Sequence, residues 1–279
     1  MNITEYSETW LKRYKEGIVK SSTLANYRYA IGYADMALHN TSIEEADLTV
    51  IKDAFVELKN LGYSKNTIKI VKRVLSQVFE QAVQDNIIAY NPVAKADIPH
   101  DAHERHIDSY SDSEQSSLIN AALKDKQGDA VLFLLFTGLR RCELLNLKWS
   151  DYNVKDHLIY IRSSKTENGI REVFLSHQAE QLINAQPRME HGYIFSTSKG
   201  YPISAGSLKK TYMRLRRETG NKKITLHRCR HTFCSKLSDK GVSPKIIAEL
   251  AGHSNVSFTM QRYVHPSREQ KMQAVSLLD

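Results

Sequence analysis

From the N-terminus to about residue 84 the apolar positions return every three to four residues. This spacing predicts helices over Thr4 to about Lys15, Ser22 to about Leu38, Asp47 to Leu61 and Ser64 to about Gln84. Ser22, Asp47 and Ser64 stand where a side-chain oxygen can accept from the free N–H groups of a first turn, and Gly62 stands where the third helix should stop. In the fourth helix Ile68, Val71, Leu75, Val78, Phe79 and Ala82 form one apolar stripe, while Lys65, Lys69, Lys72 and Arg73 lie mainly elsewhere on its surface. The pattern is that of a small helical bundle with one basic face.

The periodicity then breaks. Asn91-Pro92 closes the bundle, and 93–107, with Pro99, His100, His103 and His106, reads as an irregular linker between a domain over 1–92 and a second over 108–279. In the second domain Ser111 or Ser113 caps a helix ending around Lys124, and Asp129 to Phe136 is an apolar helix. Two β-branched and aromatic runs, His157 to Arg162 and Ile170 to Leu175, flank a turn containing Asn168-Gly169 and signal a hairpin. Helical spacing resumes over Ser207–Thr219, His227–Asp239, Ser243–Ala251 and about Val256–Tyr263. The expected fold class is mainly α with a small β-sheet.

Composition narrows the function. The 279 residues are 41% hydrophobic and 25% charged, which is globular, and the formal net charge of +8 favours a polyanionic partner. Residues 1–100 hold 12 Lys and Arg against 12 Asp and Glu, so of the totals of 39 and 31 the remaining 27 and 19 follow residue 100, and the whole excess is C-terminal. Three cysteines (Cys142, Cys229 and Cys234) and an N-terminus without an apolar signal core point to a reducing cytoplasm. No run approaches the roughly 18 apolar residues of a membrane span, so no membrane role is expected.

Five segments of the second domain could carry chemistry: Arg140 with Glu143, Lys165 beside the hairpin turn, His227-Arg228-Cys229-Arg230-His231, Gly252-His253, and Tyr263. Each has an ordinary reading as an ion-pair partner, a solvated turn lysine, a helix-end histidine or one of fourteen tyrosines. His227 and His231, four apart with cysteines nearby, also invite a zinc reading, but the cysteines do not share their face and Arg228 and Arg230 would repel a dication.

In order and spacing, however, the set resembles the tyrosine recombinase, or bacteriophage integrase, family: Thr-Gly-Leu-Arg-x-x-Glu, a hairpin Lys, His-x-x-Arg-His, Gly-His, then a Tyr about ten residues later. The motifs cover about Asp108 to the C-terminus, and residues 1–95 are similar in architecture to the family's helical core-binding domain. The resemblance implies an N-terminal SAM-like helical domain that clamps DNA, followed by an α+β catalytic domain. The length leaves no room for the additional arm-binding domain that many phage integrases carry.

The chemistry is consistent with that resemblance. Attack on a phosphodiester builds charge on two non-bridging oxygens, which Arg140 and Arg230 could hold as forked, permanently charged groups. Tyr263 would be the nucleophile, its phosphate ester storing the bond energy. The family implies Lys165 as general acid, His227 as acceptor of the tyrosine proton, His253 on the phosphate, and Glu143 as a residue that positions the surroundings of Arg140. No cofactor and no metal are expected. Lys65, Lys69, Lys72 and Arg73 are candidates to face a DNA groove. The implied partners are double-stranded DNA at attachment or recombination sites, a homotetramer on DNA, and accessory DNA-bending or excision factors. Met272, Val275, Leu277 and Leu278 lie in a tail that the resemblance implies packs on a neighbouring protomer, with packing in cis as the alternative. A type IB topoisomerase-like relaxation activity and an inert DNA-binding protein are the competing readings.

Overall fold

A computed structural model of the chain describes residues 1–38, 40–104, 108–162, 169–189, 191–253, 255–263, 272, 275 and 276. The chain divides into two compact units, Met1–His106 and Ile107–Asp279. Each has its own apolar core.

The first unit packs four helices, α1 (Ile3–Tyr14), α2 (Ser21–Leu38), α3 (Leu48–Asn60) and α4 (Lys65–Gln84). Asp47 and Ser64 accept from Val50 N and Thr67 N as expected of N-caps. Ser22 does not cap; it lies inside the first turn of α2, which begins at Ser21. The predicted stripe of α4 is wholly buried and is joined by Val74, with Trp10, Leu11, Ile31 and Phe55 across the core. Gly62 turns the chain after α3 with φ +85°, a conformation only glycine adopts freely.

The stretch expected to be a linker is instead packed on this unit as far as it is described. Pro92–Lys95 form a 3-10 turn capped by Asn91, and Val93, Ala96 and Ala102 enter the core. The segment is pinned by backbone bonds rather than by a repeating face: Lys65 N donates to His103 O at 3.0 Å, and Lys72 Nζ donates to Ala96 O at 2.6 Å. Anchors of that kind leave no periodicity in a sequence.

The second unit contains α5 (Asp112–Ala122), α6 (Gly128–Thr137), α7 (Arg141–Asn146), an antiparallel sheet of β1 (Tyr152–Asn153), β2 (Leu158–Ile161) and β3 (Arg171–Phe174) in that order, then α8 (His177–Asn184), α9 (Ala205–Thr219), α10 (Leu226–Asp239), α11 (Pro244–Ala251) and α12 (Val256–Tyr263). Ser111 caps α5 in a reciprocal capping box with Glu114. Helix α6 is buried almost all round and packs on α10 at the centre of the unit. Ile159 pairs with Val173 and Ile161 with Arg171, so the hairpin connection spans 162–170. Lys165 and Asn168 lie outside the described residues.

The start of this unit is fastened to α10. Arg228 donates to Asp108 O at 2.8 Å, Ser109 O at 2.9 Å and Glu114 Oε2 at 2.9 Å, and its guanidinium lies over the ring of Tyr110. Tyr110 in turn donates from its hydroxyl to Thr225 O and from its backbone N–H to Thr232 Oγ1. Among the described residues no helix is long and apolar enough to cross a membrane.

Because Leu132 of α6 is almost fully enclosed, Leu132→Ala should destabilise the second unit by about 2–5 kcal/mol, the range for an emptied core leucine. Urea unfolding followed by circular dichroism would check this; a loss below about 1 kcal/mol would contradict the packing described.

Candidate active site

Two left-handed glycines frame the site. Gly138 ends α6 with φ +65°, and a Cβ there would lie 2.4 Å from Phe233 Cδ1. It sends the chain to Arg140, the residue that opens α7. Gly252 ends α11 with φ +68°, and a Cβ there would lie 2.8 Å from Arg171 Nη1 and 3.1 Å from Arg140 Nη1. Each glycine's carbonyl faces an arginine: Arg230 Nη1 donates to Gly138 O at 2.9 Å, and Arg140 Nη2 donates to Gly252 O.

Glu143, on α7, is the sole carboxylate holding these groups among the described contacts. Its Oε1 accepts from Arg140 Nη1 at 2.8 Å and from Arg171 Nη1 at 3.1 Å; its Oε2 accepts from Arg140 N at 2.8 Å and from Arg171 Nη2 at 3.1 Å. Burial alone would raise the carboxyl pKa, but the hydrogen bonds and charge of Arg171, followed by Arg140, hold it below the usual range. Arg171 also donates from Nε to Leu250 O at 2.8 Å and from Nη1 to Gly169 O at 2.9 Å. It was not among the residues singled out from the sequence.

Helix α10 contributes the buried Arg230, whose pKa is lowered to about 10 by burial and then by the charge of Arg140. It remains a cation at neutral pH. One turn apart on the same helix, the rings of His227 and His231 meet edge to face at 4.5 Å. Tyr263, the last residue of α12, is 7% exposed. Its hydroxyl is 2.7 Å from His231 Nδ1, and its carbonyl accepts from Ser238 Oγ at 2.7 Å. The imidazole on the phenol is therefore His231 rather than His227, a correction to the expected pairing. Two histidines on one helix face are equivalent in a sequence pattern; which of them meets α12 is decided by tertiary packing.

His253 lies parallel to the Tyr263 ring with centroids 6.1 Å apart, and its Nδ1 is 2.7 Å from Thr259 Oγ1. Burial, then Arg230, Arg140 and Arg171, lower its pKa to about 4. His227 and Arg230 line an open cleft of about 340 Å³ with Leu139, Arg141, Cys142 and Tyr212. Among the described residues no group of three or more His, Cys, Asp or Glu is placed to hold a metal ion. Lys165 lies outside the described residues.

The four basic residues proposed for a groove lie on α4 of the first unit. Lys69 and Arg73 are exposed and line, with Lys72, a groove of about 650 Å³. Lys65 pairs with Glu104 at 3.2 Å and Lys72 is held by Ala96 O, so two of the four also serve the unit's own packing.

The buried guanidinium of Arg230 and the partly exposed one of Arg140 beside a phenol are a set that can hold a phosphodiester and attack it. Comparison with known proteins agrees with that reading. The Phage integrase family model matches residues 108–270. A tyrosine recombinase XerC-like protein of Caldanaerobacter subterraneus subsp. tengcongensis is 29% identical over 100% of this chain and 83% of its own length. The Tn1549 transposon integrase, solved in complex with a circular intermediate DNA, is similar in fold with TM-score 0.81 and 24% identity over 100% of both chains. A lambda integrase tetramer bound to a Holliday junction is similar with TM-score 0.72 and 20% identity over 92% of this chain and 79% of that one. The chain belongs to the phage integrase family, and it is a tyrosine recombinase.

The position of His253 has a consequence for pH. Its folded-state pKa lies below the ordinary value of about 6.5, so as pH falls from about 6.5 toward 4 the unfolded chain takes up a proton that the folded site refuses, and stability drops across that window. Titration of the His253 imidazole by NMR should show it neutral down to about pH 5. An inflection near the ordinary value would contradict the buried, cation-surrounded setting.

Proposed function

We propose that the protein is a site-specific DNA recombinase that cleaves and rejoins strands through a 3′-phosphotyrosyl intermediate on Tyr263. The Tyr263 oxygen bonds to phosphorus as the bond to the 5′-oxygen breaks. Lys165 protonates that leaving oxygen, and the phenolic proton passes to His231, the imidazole already hydrogen-bonded to it. Arg140 and Arg230 hold the non-bridging oxygens, with His227 and the neutral His253 as further hydrogen-bonding partners of the phosphate. Reversal with a different 5′-hydroxyl reseals the strand, so the reaction conserves bond energy and needs no nucleotide.

The observation that carries this reading is the Tyr263–His231 contact beside the Arg140, Glu143 and Arg230 cluster. Neither an inert binding protein nor a purely architectural one has use for a phenol docked on an imidazole beside a cluster of guanidiniums. Strand exchange rather than relaxation is favoured by family membership and by the helical first unit, whose Lys69, Arg73 and Lys72 groove we assign to the DNA backbone. The lambda integrase tetramer supports a homotetramer on a Holliday junction for this chain too. Met272 and Val275, both 65% exposed, support packing of the tail in trans. The chain would act in the cytoplasm, on attachment sites of a phage or mobile element, with accessory DNA-bending or excision factors.

Suicide substrates nicked beside a bound site test the chemistry. Native protein should form a covalent adduct on a denaturing gel, undiminished in EDTA, and Tyr263→Phe should form none; Arg140→Ala or Arg230→Ala should slow it by about 10²–10³-fold. No adduct from native protein on a site it binds would overturn the reading. Exchange of strands between two duplexes separates recombination from relaxation.

A further inference from the structure

We infer that Arg171, on strand β3, is a positioning residue of this reaction: shared hydrogen bonds to Glu143 let it fix Arg140 and leave the charge of Arg140 available to the scissile phosphate. The inference rests on the recombinase reading above and adds a residue to it.

The first argument is geometric. Arg171 presents a two-pronged fork to both oxygens of Glu143, and that same carboxylate holds Arg140 by its backbone N–H and its guanidinium. The remaining bonds of Arg171 reach Leu250 O, near the end of α11, and Gly169 O, at the foot of the hairpin. One guanidinium thus braces the start of α7, the hairpin strand and the turn that leads to His253. Its side chain is 7% exposed and that of Glu143 1%, whereas that of Arg140 is 31% exposed. Of the three, Arg140 is the most open, while the guanidinium of Arg171 is already taken up by Glu143, Leu250 O and Gly169 O.

The second argument is charge. Arg140 and Glu143 alone would sum to zero, and a carboxylate bound to a single guanidinium takes back much of the attraction meant for a phosphate. With Arg171 on the same carboxylate the trio carries one net positive charge, placed beside the most exposed member. In a dry site such an unbalanced charge counts for more than it does in water. A lysine could supply the charge but not the planar fork or the span to Leu250 and Gly169.

The experiment compares native protein, Arg171→Met and Arg171→Lys in single-turnover cleavage of suicide DNA at saturating protein, with DNA affinity measured alongside. Each is run on an ordinary phosphodiester and on a substrate with a neutral methylphosphonate at the scissile position, where no anionic oxygen pair awaits a guanidinium. On the phosphodiester Arg171→Met should cleave about 10²–10³-fold more slowly with its Kd within about threefold of native, and Arg171→Lys should recover less than about a tenth of the lost rate. On the methylphosphonate the native and Met proteins should agree to within about threefold. A native rate for Arg171→Met on the phosphodiester would overturn the inference, and so would an equal loss on both substrates, which is the mark of general damage to the fold. If native protein forms no adduct on either substrate while Tyr263 is intact, the recombinase reading fails instead.

Discussion

Like charges resist being brought together away from water, and this molecule gathers three guanidiniums, those of Arg140, Arg171 and Arg230, around one point. Glu143 makes the gathering tolerable. Its two oxygens are each shared between two arginines, and burial, which would ordinarily neutralise a carboxyl, is overcome by those cations. Through this one carboxylate and the two arginines it holds, α7, β3 and the end of α11 are joined. Had the count been two and two, the pocket would be neutral and have little hold on an anion; had it been three and none, it would not close.

The backbone contributes as much as the side chains. Gly138 and Gly252 each end a helix in the left-handed conformation, where their carbonyls turn toward the arginines, and neither position has room for a side chain. Partial negative charge from these carbonyls offsets cationic charge without adding a formal anion that would compete with phosphate. The Thr-Gly-Leu-Arg and Gly-His segments are thus two copies of one solution: a helix ends, and its last carbonyl steadies a guanidinium from elsewhere.

Much of this was legible in advance, for definable reasons. Helices with a strong stripe and a capping residue, such as α4 with Ser64 or α5 with Ser111, declare themselves locally. β1 has only two residues, too few for an alternation to register, whereas α8 is as long as α11 and α12, and its Ser176 cap with the buried Ala179, Leu182 and Ile183 was a signal that could have found it. The packing of 93–104 was invisible because backbone bonds and single contacts hold it. Arg171 is the instructive omission: counting by twos from the buried Val173 places it on the inward face of β3, where an arginine needs a carboxylate, and Glu143 was already in view. The choice between His227 and His231 had no such clue, since both lie on one face of α10 and only the packing of α12 distinguishes them.

The fastening of residues 108–114 to α10 bears on how such proteins could exchange parts. Arg228 and Tyr110 tie the first residues of the second unit to the helix that carries His227, Arg230 and His231. A chimera that joins a foreign module upstream of Asp108 would inherit that tie intact, whereas a splice just after Tyr110 would remove Tyr110 and the Asp108 and Ser109 carbonyls and leave Glu114 as the remaining acceptor of the buried Arg228. A boundary that keeps this tie whole therefore lies before Asp108, where the chain also divides into its two compact units.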